Sequence, residues 1–153
     1  MHLTLYTDYS LRVLVYLGIR SEHMATIAEI SDSYGISRNH LVKVVHNLAH
    51  IGFVNTSRGR GGGMTLARKP GDINIGDVVR ETELNFDLVE CFDIVNNTCP
   101  IAPICALKGA LQEAKEQFMG VLDRYTLADV LGNKNDLAKF LKITVDVNEI
   151  ERR

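Results

Sequence analysis

Apolar positions in the first fifty residues recur at helical spacing in three successive runs. Between Thr7 and Arg20, Leu11, Leu14, Val15 and Leu17 with Gly18 form an apolar or small face. Thr7 is placed to cap this helix, and Asp8 puts a carboxylate in its first turn, where the helix dipole favours it. In HMATIAEISDSYG, Thr26 and Glu29 have the spacing of a capping box, Ile27 and Ile30 supply apolar contacts, and Gly35 is a C-terminal stop. Only Gly35 and Ile36 separate this short helix from Ser37, which can cap the next. From there Leu41, Val44, Val45, Leu48 and Ile51 repeat with a period of 3.6 as far as Gly52, leaving Arg38, Asn39, Val42, Lys43, His46, Asn47 and His50 on the other side. Two short helices joined by a tight glycine-containing turn predict a helix-turn-helix with the third helix in the recognition position. A small helical bundle with a solvated polar face fits the same pattern.

The period then changes. FVNTS and MTLA read as two short strands bracketing RGRGGG. A tip containing Gly59, Gly61, Gly62 and Gly63 lets the backbone approach another molecule closely, and Arg58 and Arg60 bring charge to that approach. This is the composition of a wing that reaches a DNA groove, where a narrow minor groove attracts arginine. A phosphate loop of a nucleotide enzyme is excluded, because no Lys-Ser/Thr follows the glycines and a strand comes where a helix should.

Pro70 and Gly71 mark a joint, and Ile75, Val78 and Val79 predict a short helix from Ile75 to Thr82. Asn96, Asn97, Pro100 and Pro103 then disfavour regular structure, so residues 91–105 read as a loop whose form depends on what it binds. A long amphipathic helix is predicted from Pro103 to Tyr125, with Leu107, Ala110, Leu111, Ala114, Phe118, Val121, Leu122 and Tyr125 on one face. At roughly 1.5 Å per residue it would span about 33 Å. Such a helix could pair with a second copy or fold back on its own core. Thr126 caps a last short helix, TLADVLGN; beyond Asn133 the pattern weakens, although Leu137, Phe140 and Leu141 could dock, and DVNEIERR reads as a loose tail.

The expected fold is therefore mainly α with a small β wing: a winged helix-turn-helix plus a long dimerisation helix. Residues 1–72 form the DNA-binding domain and 73–102 a connecting helix and cysteine loop. Residues 103–133 form the dimerisation helix and the short helix after it, and 134–153 a C-terminal tail.

Composition sharpens this in two places. The chain has 153 residues, enough for a substantial core, and a net charge of -2 that conceals an asymmetry. Residues 1–70 carry eight Lys/Arg against four Asp/Glu, whereas 71–153 carry nine against fifteen, and all five histidines lie in the first half. The basic half is suited to a polyanion. The N-terminus has no basic region followed by an apolar run, and the longest apolar run, Val13–Leu17, is far short of a membrane span. A cytoplasmic location is expected, with no membrane association. That compartment keeps thiols reduced and favours metal or redox chemistry at cysteines over a structural disulfide.

All three cysteines lie in CFDIVNNTCPIAPIC, spaced C-x7-C-x5-C. Three thiols are too few for a four-cysteine site and one too many for a single disulfide. Soft thiolate ligands suit zinc or an iron-sulfur cluster, with the remaining ligand supplied from elsewhere. The alternative is three ordinary, partly buried cysteines. An enzyme is not expected: there is no triad and no CxxC pair, and the histidines sit in the DNA-binding half.

The order LTLYTDYSLRVLVYLG, YGISRNHLVKVVHNLAHIGFVNTSRGRGGG, IGDVV, the three-cysteine loop and YTLADV resembles the iron-sulfur winged-helix repressors of the NsrR/IscR/RirA type over residues 1–132. The SRNHLVKVV segment is similar to the nitric-oxide-responsive NsrR branch, and the cysteine spacing to the iron-responsive RirA branch. The resemblance implies a homodimer with crossed long helices, bound to a double-stranded DNA operator. It implies a cluster, 4Fe-4S or 2Fe-2S, held by Cys91, Cys99 and Cys105, with Asp8 of the partner subunit as fourth ligand. Lys108 stands where the IscR branch has a histidine ligand, which disfavours that solution. The function implied is transcriptional repression gated by a cluster that senses nitric oxide; the alternatives are an iron-status or redox-responsive regulator, or a zinc or thiol switch without a cluster. Arg38, Asn39 and Lys43 are the expected base or phosphate contacts of the recognition helix, with Arg58 and Arg60 in the wing.

Overall fold

The computed structural model describes residues 2–20 and 23–143, so DVNEIERR lies outside the described residues. Helix α1 spans Leu5–Ile19, starting two residues before the predicted cap. Thr4 is the capping residue instead of Thr7: the Thr7 backbone N–H donates to the Thr4 hydroxyl at 3.3 Å, and Thr7 is buried in the first turn. The choice is made by a distant partner, because the Thr4 N–H and hydroxyl both donate to Glu83 Oε1, at 2.7 and 3.1 Å. No local pattern could reveal that contact.

Helix α2 spans Ile27–Tyr34, with the Thr26–Glu29 capping box formed and Gly35 ending it at a left-handed φ of 66°. Helix α3 spans Arg38–His50; Ser37 occupies the capping position but makes no side-chain cap hydrogen bond. Strands β1 (Val54–Ser57) and β2 (Gly63–Leu66) pair antiparallel with Val54 opposite Leu66 and Ser57 opposite Gly63. Met64 also exchanges backbone hydrogen bonds with Ala25, at 2.9 and 2.8 Å, which fastens the wing to the segment preceding α2. Helix α4 spans Ile75–Thr82, as predicted.

The long helix, α5, is shorter than expected, covering Ala106–Leu122 and about 25 Å. Pro103 and Ile104 are taken up by a 3-10 turn over Ala102–Ile104, which delays the helix to Ala106. Helix α6 spans Leu127–Val130 behind a Thr126–Asp129 capping box, and α7 spans Lys134–Phe140. Leu137 and Leu141 dock on the core, whereas Phe140 remains exposed. No helix among the described residues is long and apolar enough to cross a membrane.

Helix α1 is the centre of the core, touching α3, α4, α6, α7 and β2. Val13 and Leu14 are completely buried, with Tyr16, Leu17 and Ile19 nearly so, while Leu11 and Val15 of the predicted face are only partly covered. A helix enclosed on most sides needs apolar residues all round, so a single-stripe reading underestimates what it buries. Around it pack Ile30 of α2, Leu41, Val44 and Leu48 of α3, Val78 of α4 and Leu127 of α6.

Helix α5 is the opposite case. None of its residues is buried, and Leu107, Val121 and the following Tyr125 are exposed, so it does not fold back along the core. It is fixed at its C-terminal end. The Arg80 guanidinium donates to both carboxylate oxygens of Asp123, at 2.7 and 2.6 Å, and the Asn74 side-chain amide donates to the Asp123 carbonyl at 2.7 Å. Gly76 allows this approach, since a Cβ there would collide with the Asp123 carboxylate.

Replacing Leu14 with alanine removes a completely buried side chain from the element that α3, α4, α6, α7 and β2 pack against. Leu14→Ala is expected to lower unfolding stability by about 2–5 kcal/mol, measured as a shifted midpoint in urea at unchanged slope.

Candidate DNA interface and thiol loop

Packing of Leu41, Val44, Val45 and Leu48 into the core turns the opposite face of α3 outward. Arg38, Asn39, Lys43, His46 and His50 are all exposed there. Arg38 is loosely held by Asp32, at 3.6 Å between two well exposed side chains, a contact that leaves its guanidinium free to exchange partners. The His40 ring stacks on Tyr9 of α1 with centroids 6.0 Å apart, so the recognition helix is braced at its first turn by α1. The His40 ring is itself exposed, and a stacking partner thirty-one residues away leaves no local signal.

The wing tip follows from its glycines. Gly59 and Gly61 take positive φ values of 102° and 81°, which a side chain would resist. Arg58 and Arg60 alternate with them and are exposed. Arg38 and Lys43 of the helix-turn-helix and Arg58 and Arg60 of the wing are therefore all exposed on the basic half of the chain, Arg38 with Asp32 as a loose partner.

The thiol loop is more organised than its sequence suggested. Cys91 lies in a 3-10 turn, Glu90–Phe92, Cys99 in irregular backbone, and Cys105 at the N-cap of α5. All three are free and half-buried. Glu90 Oε1 accepts from the Thr98 N–H and hydroxyl at 2.7 and 2.6 Å, joining the residue before Cys91 to the residue before Cys99. Asp93 accepts from the Val95 and Asn96 backbone N–H groups and from the Asn96 side chain, and Asn97 Oδ1 accepts from the Cys99 N–H at 3.0 Å. The Thr98 hydrogen bonds hold the Glu90 carboxyl below the usual glutamate range, and those from Asn96 and Val95 do the same for Asp93. Both carboxylates are therefore fully ionised acceptors at neutral pH. The sequence reading missed Glu90 and Asp93 because it treated acidic residues here only as net charge; the short Asp93-to-Asn96 spacing of an Asx turn was the available signal.

The loop is tied to both neighbours. The Lys115 ammonium of α5 lies 4.8 Å from the centre of the Phe92 ring. At its other end the loop leaves α4 through Glu83, the residue that holds Thr4. Between these elements is an open cavity of about 790 Å³ lined in part by Leu3, Phe86, Leu88, Leu111 and Phe118. Asp8 is not part of the loop's surroundings in this chain: its carboxylate pairs with Arg12 at 2.8 Å, and the Arg12 guanidinium in turn lies 5.7 Å from the centre of the Tyr34 ring of α2. Among the described residues, no three Cys, His, Asp or Glu side chains converge closely enough to hold a metal ion. One protomer thus offers three soft donors in a single folded loop, a donor set of the right kind for an iron-sulfur centre, but gathers them neither with one another nor with Asp8.

Comparison with known proteins agrees with this arrangement. Residues 3–133 match the Rrf2 family, described as an iron-dependent transcriptional regulator. The HTH-type transcriptional regulator NsrR of Bacillus subtilis strain 168 is 52% identical over 144 residues, 94% of this chain and 99% of the relative. The regulator of the same name from Shouchella clausii strain KSM-K16 is 48% identical over 143 residues, 93% and 96% of the two chains. Among solved structures, T. potens IscR aligns with a TM-score of 0.70 at 25% identity, across 97% of this chain and 96% of that one. Because the matched stretch contains the helix-turn-helix, the wing and the whole cysteine loop, this chain belongs to the Rrf2 family of transcriptional regulators and is not an enzyme.

Proposed function

We propose that the protein is a cytoplasmic, dimeric repressor whose operator binding is gated by an iron-sulfur cluster that senses nitric oxide. The observation that carries the gating is the joint at Glu83, where the root of the thiol loop holds Thr4, the N-cap of α1. Likeness to regulators named NsrR supports nitric oxide as the signal. Cys91, Cys99 and Cys105 would hold the cluster, with Asp8 of a second copy as the fourth ligand. Bound there, the cluster supplies iron that reacts with nitric oxide.

The rest is done by the chain. Arg38, Asn39 and Lys43 meet base edges or phosphates from the exposed face of α3, and Arg58 and Arg60 reach a groove from the wing. A ligand role for Asp8 takes its carboxylate from Arg12. The Arg12 guanidinium is then left beside Tyr34, at the end of α2, where burial pushes the phenol up to about 12 and keeps it neutral. Ligation and its loss would in this way reach the helix-turn-helix through one ion pair. The exposed apolar side chains of α5, Leu107 and Val121 among them, would be covered by the second copy.

Each of the variants Cys91→Ser, Cys99→Ser and Cys105→Ser is expected to lose the visible absorption of anaerobically purified protein, and colour retained in all three would end the cluster reading. In the parent protein, nitric oxide should bleach the spectrum and weaken DNA binding together, whereas chelation alone doing both would favour iron status as the signal. Arg58→Ala should bind DNA more weakly at fixed salt, with the slope of log affinity against log salt reduced by about one. An unchanged slope would remove the wing from the interface.

A further inference from the structure

Helix α3 carries five large aliphatic side chains, and four of them, Leu41, Val44, Val45 and Leu48, are at most 5% exposed. The fifth, Val42, is 50% exposed. Its flank of the helix is polar: Asn39 lies three residues before it and His46 four after, the spacings that bring side chains together on a helix surface. Neither the core nor the helix itself explains a valine there. A β-branched side chain loses rotamer freedom against the preceding turn, and an exposed helical position is better filled by alanine, lysine or glutamate.

Val42 is the fifth residue of α3, in the N-terminal half of a recognition helix, the half that meets base edges in the major groove. Valine can neither donate nor accept a hydrogen bond, so it is blind to every feature of those edges except one. The C5-methyl of thymine is the apolar group exposed there, and an aliphatic contact is how side chains read it.

We propose that Val42 is a specificity-determining residue, packing against a thymine methyl in each half-site while its polar neighbours make the hydrogen-bonded and phosphate contacts. This rests on the DNA-binding reading of α3. It assigns the position a job distinct from that of a phosphate-contacting cation: such a cation strengthens binding to any sequence, and Val42 selects one base.

The test begins with a randomised duplex pool, from which the anaerobically purified 153-residue chain and its Val42→Ala variant each select bound DNA. In the duplex enriched by the parent protein, thymines are then replaced one at a time by deoxyuridine, which differs only in lacking the methyl. At one thymine per half-site the replacement is expected to weaken parent binding by about fourfold, the effect of withdrawing one methyl from an apolar contact. The same replacement should leave Val42→Ala binding unchanged, and the variant's own selected sequences should relax at that position. Val42→Ala places a better helix former at an exposed site, and its thermal unfolding, run alongside, should match the parent's. If the pool yields an enriched sequence but no thymine shows a loss that depends on Val42, the assignment is overturned while DNA recognition by α3 stands. If neither protein enriches any sequence, the DNA-binding reading fails and the assignment with it.

Discussion

Burial of α1 is the constraint on which the other elements depend. Its middle turns, Val13, Leu14 and Leu17, are covered from all sides by α3, α4, α6, α7 and the wing strand β2, so each of those elements has its position defined relative to one axis. Close-packed interiors respond to displacement as units. A shift of α1 would therefore move the recognition helix and the wing together, with their spacing to each other preserved by the Ala25–Met64 hydrogen bonds. The stack of Tyr9 on His40 and the Arg12–Tyr34 contact add two surface couplings between α1 and the helix-turn-helix.

At the other extreme, α5 has no fully buried residue and is anchored chiefly at its C-terminal end, where Leu122 packs on the core. Its Arg80–Asp123 pair is bidentate but half exposed, a geometry that fixes direction more than it adds stability. The backbone hydrogen bonds from Ile75 N–H to Tyr125 O and from Leu127 N–H to Ile73 O continue the same seam. The helix is thus aimed from its C-terminal end while its N-terminal end, beginning at Cys105, is left to the thiol loop. The loop is joined to two elements, through Cys105 to α5 and through Glu83 to the cap of α1.

The helix-turn-helix and the wing were legible in the sequence because their signals are local. A capping box at Thr26–Glu29, a glycine at 35, a 3.6 period in α3 and a glycine-rich hairpin tip each report on neighbours within a few residues. Two misreadings share one cause. Thr4 caps α1 because Glu83 binds it, and α1 shows no clean stripe because five elements enclose it; both facts are set by residues far along the chain. Helix α5 starts later than its pattern predicts because Pro103, a residue that favours the first helical position, lies in the 3-10 turn Ala102–Ile104 instead. The thiols themselves were visible as a pattern, whereas the side chains that shape their loop, Glu90, Asp93 and Asn97, were not distinguished from a merely acidic surface.

Those three side chains bear on how such a loop can switch. The Glu90–Thr98 and Asp93–Asn96 hydrogen bonds close it without help from any sulfur, in a shape that does not bring the three thiols together. A loop that is ordered only when liganded would signal by melting. One that is closed by its own carboxylates would signal instead by changing from that shape as its thiols converge. Its two roots are Glu83, hydrogen-bonded to Thr4, and Cys105, the first cap of α5, and each leads into an element whose remaining contacts are fixed. If the thiols take up a cluster as proposed, the rearrangement that brings them together would be felt at both roots, at the start of α1 and the start of α5.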